Sequence, residues 1–138
     1  MQVYRMGSSA ITLCIFYFLL AVASAWFDST PLLLSCGGVI QPLSDYQAGV
    51  EVVVRDLIRW TPQSRFNYYN KYEKDNTEVY GHATCNVLLS VADCGNCLRS
   101  VNSYRISHCT FVDFAQAKFV DCEMTFDNRR FDHGGPRH

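Results

Sequence analysis

Residues 85–97 read CNVLLSVADCGNC, which places Cys85, Cys94 and Cys97 in a Cys-x8-Cys-x2-Cys pattern. Ser90 stands three residues before Asp93, an arrangement in which a serine hydroxyl caps the first turn of a helix. Once a helix starts there, Cys94, Cys97, Leu98 and Val101 fall on one face, so two cysteines point into the core from a helix while Cys85 ends the segment before it. Cys36, Cys109 and Cys122 lie outside the cluster. In a reducing compartment such cysteines suggest metal or redox chemistry, and in an oxidising one they suggest cross-links.

The N-terminus speaks for the oxidising case. Arg5 precedes the apolar run ITLCIFYFLLAVA, and Ala23-Ser24-Ala25 offers the small residues that a signal peptidase reads. The run from Ile11 to Ala23 is shorter than the roughly 20 residues needed to span a bilayer. Residues 1–25 are therefore expected to be a signal peptide, and the mature chain is expected to have no membrane span. Cleavage discards Cys14 and leaves six cysteines, an even set that permits fifteen pairings. Removing 25 of 138 residues leaves 113, enough for one domain with a real core. Without Arg5 the chain has 11 basic and 13 acidic residues, a balance that speaks against a nucleic-acid partner. No Asn-x-Ser/Thr glycosylation acceptor is present.

Outward from the cysteine cluster, periodicity supplies the remaining elements. Leu32–Leu34 lead to Cys36-Gly37-Gly38 as a strand and turn. Ser44 and Gln47 open a helix whose stripe is Tyr46, Val50, Val53, Val54, Leu57 and Ile58, closed by Pro62. Arg65–Tyr72 and Glu78–Cys85, joined at Lys74-Asp75-Asn76, read as a hairpin with Tyr68, Tyr69 and Tyr80 as exposed aromatics. The segment AKFVDCEMTF reads as one last strand, with Val120, Cys122, Met124 and Phe126 inward and Lys118, Asp121, Glu123 and Thr125 outward. The order β, α, β, β, α, β predicts an α+β fold: two helices packed on one antiparallel sheet of about four to five strands, stapled by three disulfides. The domain is expected over 26–127, and residues 128–138, poor in apolar side chains, read as a disordered tail.

Together these features resemble the plant ginkbilobin-type cysteine-rich family of secreted antifungal proteins and receptor ectodomains. The resemblance rests on YGHATCNVLLSVADCGNCL and runs through SVNSYRISHC to FVDCEMTFDNRRF. It implies the pairs Cys36–Cys109, Cys85–Cys94 and Cys97–Cys122, whose loops correspond to roughly 4.5, 2.7 and 3.5 kcal/mol of chain entropy. It also implies a mannose site formed in the family by an asparagine, an arginine and a glutamate. The matching positions here hold Gly37, Gln116 and Asp127. Gly37 has no side-chain amide, Gln116 keeps hydrogen-bonding capacity without the arginine's charged fork, and Asp127 keeps a shorter carboxylate. The expected role is non-enzymatic defence against fungi in the extracellular space, the apoplast, with cell-wall or surface carbohydrate as partner. The alternative is a module that binds extracellular proteins.

Other chemistry fits less well. Cys94-Gly95-Asn96-Cys97 matches a CxxC redox motif, yet the family pairing takes both thiols for separate disulfides. Cys94, Cys97, His108 and Cys109 make an awkward zinc set because adjacent His-Cys ligands are hard to aim at one tetrahedral ion. A Cys-His hydrolase needs a free thiol, and an even set leaves none. His82 and His108 read as structural or exposed, His133 and His138 belong to the tail, and Asp121 with Glu123 reads as solvated charge. No metal and no cofactor is called for.

Overall fold

The computed structural model describes residues 26–131. The expected signal peptide and the end of the expected tail, 132–138, lie outside the described residues. The elements are β1 (Pro31–Gly37), α1 (Asp45–Trp60) with a 3₁₀ turn (Thr61–Gln63), β2 (Asn67–Lys74), β3 (Thr77–Cys85), α2 (Val91–His108), β4 (Phe114–Phe119) and β5 (Cys122–Asp127). The strands form one antiparallel sheet in the order β1-β4-β5-β3-β2.

Both helices start as the sequence predicts. Ser44 Oγ accepts from the Gln47 N–H at 3.2 Å, and Ser90 Oγ accepts from the Asp93 N–H at 3.0 Å. Each bond satisfies an N–H that the first helical turn leaves without a partner. The apolar stripe of α1 then buries Val50, Val53, Val54 and Leu57 against β2 and β3, while α2 buries Cys94, Cys97, Leu98 and Val101 against β4 and β5. The helices cover one face of the sheet. Val79, Ala83, Ala115, Ala117, Phe119, Met124 and Phe126 meet them there. At Gly81 an added Cβ would fall 2.3 Å from both Val53 Cγ1 and Asn70 Oδ1, so a glycine is what lets α1 close on β3.

The three disulfides are Cys36–Cys109, Cys85–Cys94 and Cys97–Cys122, with Cα separations of 6.2, 5.7 and 6.1 Å. They tie β1 to the end of α2, β3 to the start of α2, and α2 to β5. Cys94 and Cys97 thus belong to different bonds, which removes the thiol pair that a redox motif requires. Among the described residues no helix is long and apolar enough to cross a membrane.

The expected last strand is two strands. Ala115, Ala117 and Phe119 point inward on odd numbers, and Cys122, Met124 and Phe126 do so on even ones. The alternation slips by one residue at Val120-Asp121, where a hairpin turn leaves Val120 45% exposed. No glycine or asparagine marks this turn because distant chain supplies its bonds. Val120 N and Asp121 N donate to Thr30 O and Asp28 O, and the Asp121 carboxylate accepts from Asp28 N at 2.7 Å and from Asn86 Nδ2 at 2.9 Å. Thr125 lies on the helix-free face as expected, yet it is only 3% exposed, flanked in register by Gln116 and His82. Tyr68, expected exposed, is half-buried against the core, because β2 turns its even positions toward α1. Arg65 and Phe66, with φ of 56° and 61°, precede the strand instead of opening it.

Candidate functional site

Among the described residues the sheet's second face carries no helix, which leaves its side chains uncovered. The pleat puts Gly37, Gln116 and Asp127 on this face, on the adjacent strands β1, β4 and β5. Gly37 pairs with Phe114, Gln116 pairs with Ser35 and Thr125, and Asp127 pairs with Tyr80. Continuing the β4–β5 register one step past Ala115–Phe126 sets Asp127 beside Phe114. Phe114, half-buried, therefore stands between Gly37 and Asp127.

Gln116 does not converge with the other two. Its Nε2 donates to Glu123 Oε1 at 2.6 Å, the diagonal away from Asp127, and Lys118 Nζ holds the second oxygen of Glu123 at 3.6 Å. Asp127 is half-buried and accepts from the Arg129 N–H at 3.0 Å, leaving its other oxygen available.

Residues that the sequence did not single out for this role complete the sheet end. The Tyr46 hydroxyl, at the start of α1, donates to the Asp113 carbonyl. Burial first, then the charges of Asp127 and Asp113, hold this hydroxyl well above the ordinary tyrosine range, so it stays a neutral donor at any physiological pH. The Asp113 carboxylate lies against Gly38, whose φ is +58°, and accepts from Asn128 Nδ2 at 3.4 Å. Beside Tyr46 opens a polar cleft of about 660 Å³ lined by Glu73, Asp75, Asn76, Thr77, Glu78, Asn128 and Arg129. Its volume is within the range of small-ligand sites. Carboxylates, amides, a hydroxyl and one arginine around an aromatic ring form a set that matches the alternating donors and acceptors of a polyhydroxylated ligand. One signal of this site was present in the sequence: a tyrosine on a helix's apolar stripe needs a partner for its hydroxyl.

At the sheet's other edge, Tyr69 stacks on His82 with centroids 3.8 Å apart, and His82 Nε2 lies 2.8 Å from Asn67 Oδ1. Burial lowers the His82 pKa, opposed by Glu123. Phe131 sits edge-on to both rings at about 6.5 Å, so the first tail residues return across the sheet. Among the described residues no group of three or more His, Cys, Asp or Glu side chains is placed to hold a metal ion.

Comparison with known proteins identifies the family and the fold of the chain. Residues 35–129 match the family model described as salt stress response/antifungal. The antifungal protein ginkbilobin-2 of Ginkgo biloba is 27% identical over 90 residues, covering 64% of this chain and 67% of that protein. Among solved structures, the tandem DUF26 ectodomain of the Arabidopsis thaliana cysteine-rich receptor-like protein PDLP5 superposes with a TM-score of 0.68 at 19% identity, over 74% of this chain and 51% of that one. The corresponding ectodomain of PDLP8 gives 0.69 at 13% identity, over 75% and 52%. This chain spans about half the length of those two ectodomains.

Proposed function

Since the chain belongs to the salt stress response/antifungal family, we propose that it is a secreted, non-enzymatic plant defence protein that recognises carbohydrate at the end of its sheet where Asp127 and Phe114 adjoin the Tyr46 cleft. The observation that carries this reading is the placement of Asp127 and Phe114 side by side next to the polar cleft. In this arrangement the half-buried ring offers an apolar floor for the C–H face of a sugar ring. Asp127 accepts from its hydroxyls, and Asn128 and Arg129 donate. Gly37 leaves space above the ring, and Gln116 acts indirectly by holding Glu123. The Asp127 carboxylate is the family glutamate's counterpart, one methylene shorter and one residue from the cleft.

The test is retention of the oxidised protein on immobilised mannan and on fungal cell wall, with elution by free mannose. Asp127→Ala should lose an acceptor worth about 1.5–3 kcal/mol when charged, which lowers affinity by at least about tenfold. Equal retention of the variant, or retention indifferent to free sugar, would remove the sheet end from consideration. Arabidopsis receptor-like relatives of the same fold support a second reading, binding of extracellular proteins.

A further inference from the structure

On the molecule's opposite side, α1 and α2 enclose an open groove of about 1010 Å³. Its floor is apolar, with Val50, Val54 and Ile58 from α1, Val91 and Ile106 from α2, and Phe111 beyond. Val91, Ile106 and Phe111 are 55%, 47% and 41% exposed, so the groove displays uncovered hydrophobic surface.

The groove's walls are cationic. Arg55 and Arg59 line one side and Arg99 and Arg105 the other, against a single carboxylate, Glu51. Among the described residues no carboxylate comes within 4.0 Å of Arg59, Arg99 or Arg105, and Arg55 touches only its neighbour Asp56, at 3.8 Å. Arg105 is half-buried and stands over the Phe126 ring at 5.4 Å. Its Nη2 donates to Asn102 Oδ1 at 2.6 Å, while its Nε is buried with no hydrogen-bond partner among the described residues. Burial lowers its pKa, the mark of a cation held away from water without a counter-charge. A desolvated guanidinium beside three others is costly in the free protein and becomes favourable once an anion arrives.

We propose that this groove docks an acidic amphipathic helix of a protein partner, its apolar stripe on the floor and its carboxylates against the arginines of both walls. The geometry selects a helix over a compact anion. From Val91 to Ile106 the lining of α2 runs about 22 Å at 1.5 Å per residue, the length of about 15 helical residues. Apolar contacts recur along that length, and positive charge flanks them on two sides, as helix-in-groove recognition requires. The proposal is independent of the sheet-end reading, since it uses none of the same residues.

A fluorescein-labelled peptide of about 15 residues, with leucines at helical spacing and glutamates on both flanks, serves as probe against the oxidised protein. Its counterpart has lysine at every glutamate. Anisotropy should show the glutamate peptide binding at least about tenfold more tightly, with the advantage shrinking as salt rises. The double variant Arg55→Glu/Arg99→Glu, one exposed change on each wall, should reverse the preference. Ile106→Asp on the floor should weaken both peptides, and Lys71→Glu on the open sheet should change neither. An unchanged thermal midpoint shows that each variant is folded. Equal binding of the two peptides, binding of neither, or a preference that survives the double reversal overturns the proposal. Arginine-dependent binding to phosphatidylglycerol vesicles without discrimination between the peptides overturns it in favour of an anionic lipid surface.

Discussion

Gly37 and Gly38 are neighbours in sequence and opposites in consequence, and substitution at each tests the sheet-end site directly. At Gly37 the backbone is ordinary strand, and an added Cβ would meet Phe114 Cδ1 at 3.7 Å and Asp113 Oδ1 at 3.9 Å, normal contact distances. Gly37→Asn should therefore fold with a stability change within about 1 kcal/mol, and it supplies, next to the Phe114 ring, the amide that the family resemblance implies for this position. One neutral hydrogen bond to a ligand hydroxyl contributes about 0.5–1.5 kcal/mol, a gain in affinity of roughly two- to twelvefold. At Gly38 the φ of +58° strains any other residue, and a Cβ would fall 2.2 Å from the Asp113 carboxyl carbon. Gly38→Ala should cost about 1–3 kcal/mol and push Asp113 away from Asn128. Urea titrations of the two variants measure stability, and calorimetric titration with methyl mannoside measures affinity. If Gly37→Asn folds normally and binds the sugar no better than the parent, Gly37 does not border the ligand and the site argued from it fails.

Three further outcomes follow from the packing. Replacing Cys97 and Cys122 together by alanine opens a loop of separation 25 and should lower unfolding free energy by about 3.5 kcal/mol, read from denaturant curves; an unchanged midpoint would contradict the chain-entropy account. Burial depresses the folded-state pKa of His82 below the unfolded value of 6.5, so the unfolded chain binds the extra proton and stability should fall as pH drops through about 6.5 toward the folded value. His82→Gln should flatten the urea midpoint across that window, and a slope equal to the parent's would assign the effect elsewhere. Tyr46→Phe removes the donor to the Asp113 carbonyl and should cost about 0.5–1.5 kcal/mol; a neutral result would mean water replaces that donor.

The fold was legible wherever local chemistry decides. The α1 stripe of Val50, Val53, Val54 and Leu57, the caps Ser44 and Ser90, and the Asp75-Asn76 turn each carry their signal within a few residues. The Val120-Asp121 turn carries none, because its hydrogen bonds come from Asp28, Thr30 and Asn86, and two strands were read as one. The candidate site divides along the same line. Resemblance located Gly37, Gln116 and Asp127, and the pleat does set them on one face. That Gln116 turns to Glu123 depends on the β4–β5 hairpin, and that Tyr46 and Gly37 join Asp113, Phe114 and Asn128 at the sheet end depends on α1 and β1 meeting the start of β4, Tyr46 and Asp113 being 67 residues apart in sequence. Local patterning has no access to such a neighbour.

The disulfide with the longest loop links the two proposed binding surfaces physically. Cys36 immediately precedes Gly37 at the sheet end, and Cys109 immediately precedes Thr110 and Phe111 at the mouth of the interhelical groove. Ile40 N donates to Phe111 O at 2.8 Å, extending the same junction across the connection that follows β1. Of the other two bonds, Cys85–Cys94 ties β3 to α2 next to Gly95 on the groove's wall and Cys97–Cys122 ties α2 to β5 in the core, and neither reaches the sheet end. Removing Cys36–Cys109 frees the edge strand and the segment after α2 together, whereas removing Cys97–Cys122 loosens the core and leaves both edges fastened. A loss of affinity at both surfaces in the first case, with stability lowered but both affinities retained in the second, is the pattern this layout demands, because the positions of Gly37 and Phe111 are set by one covalent anchor.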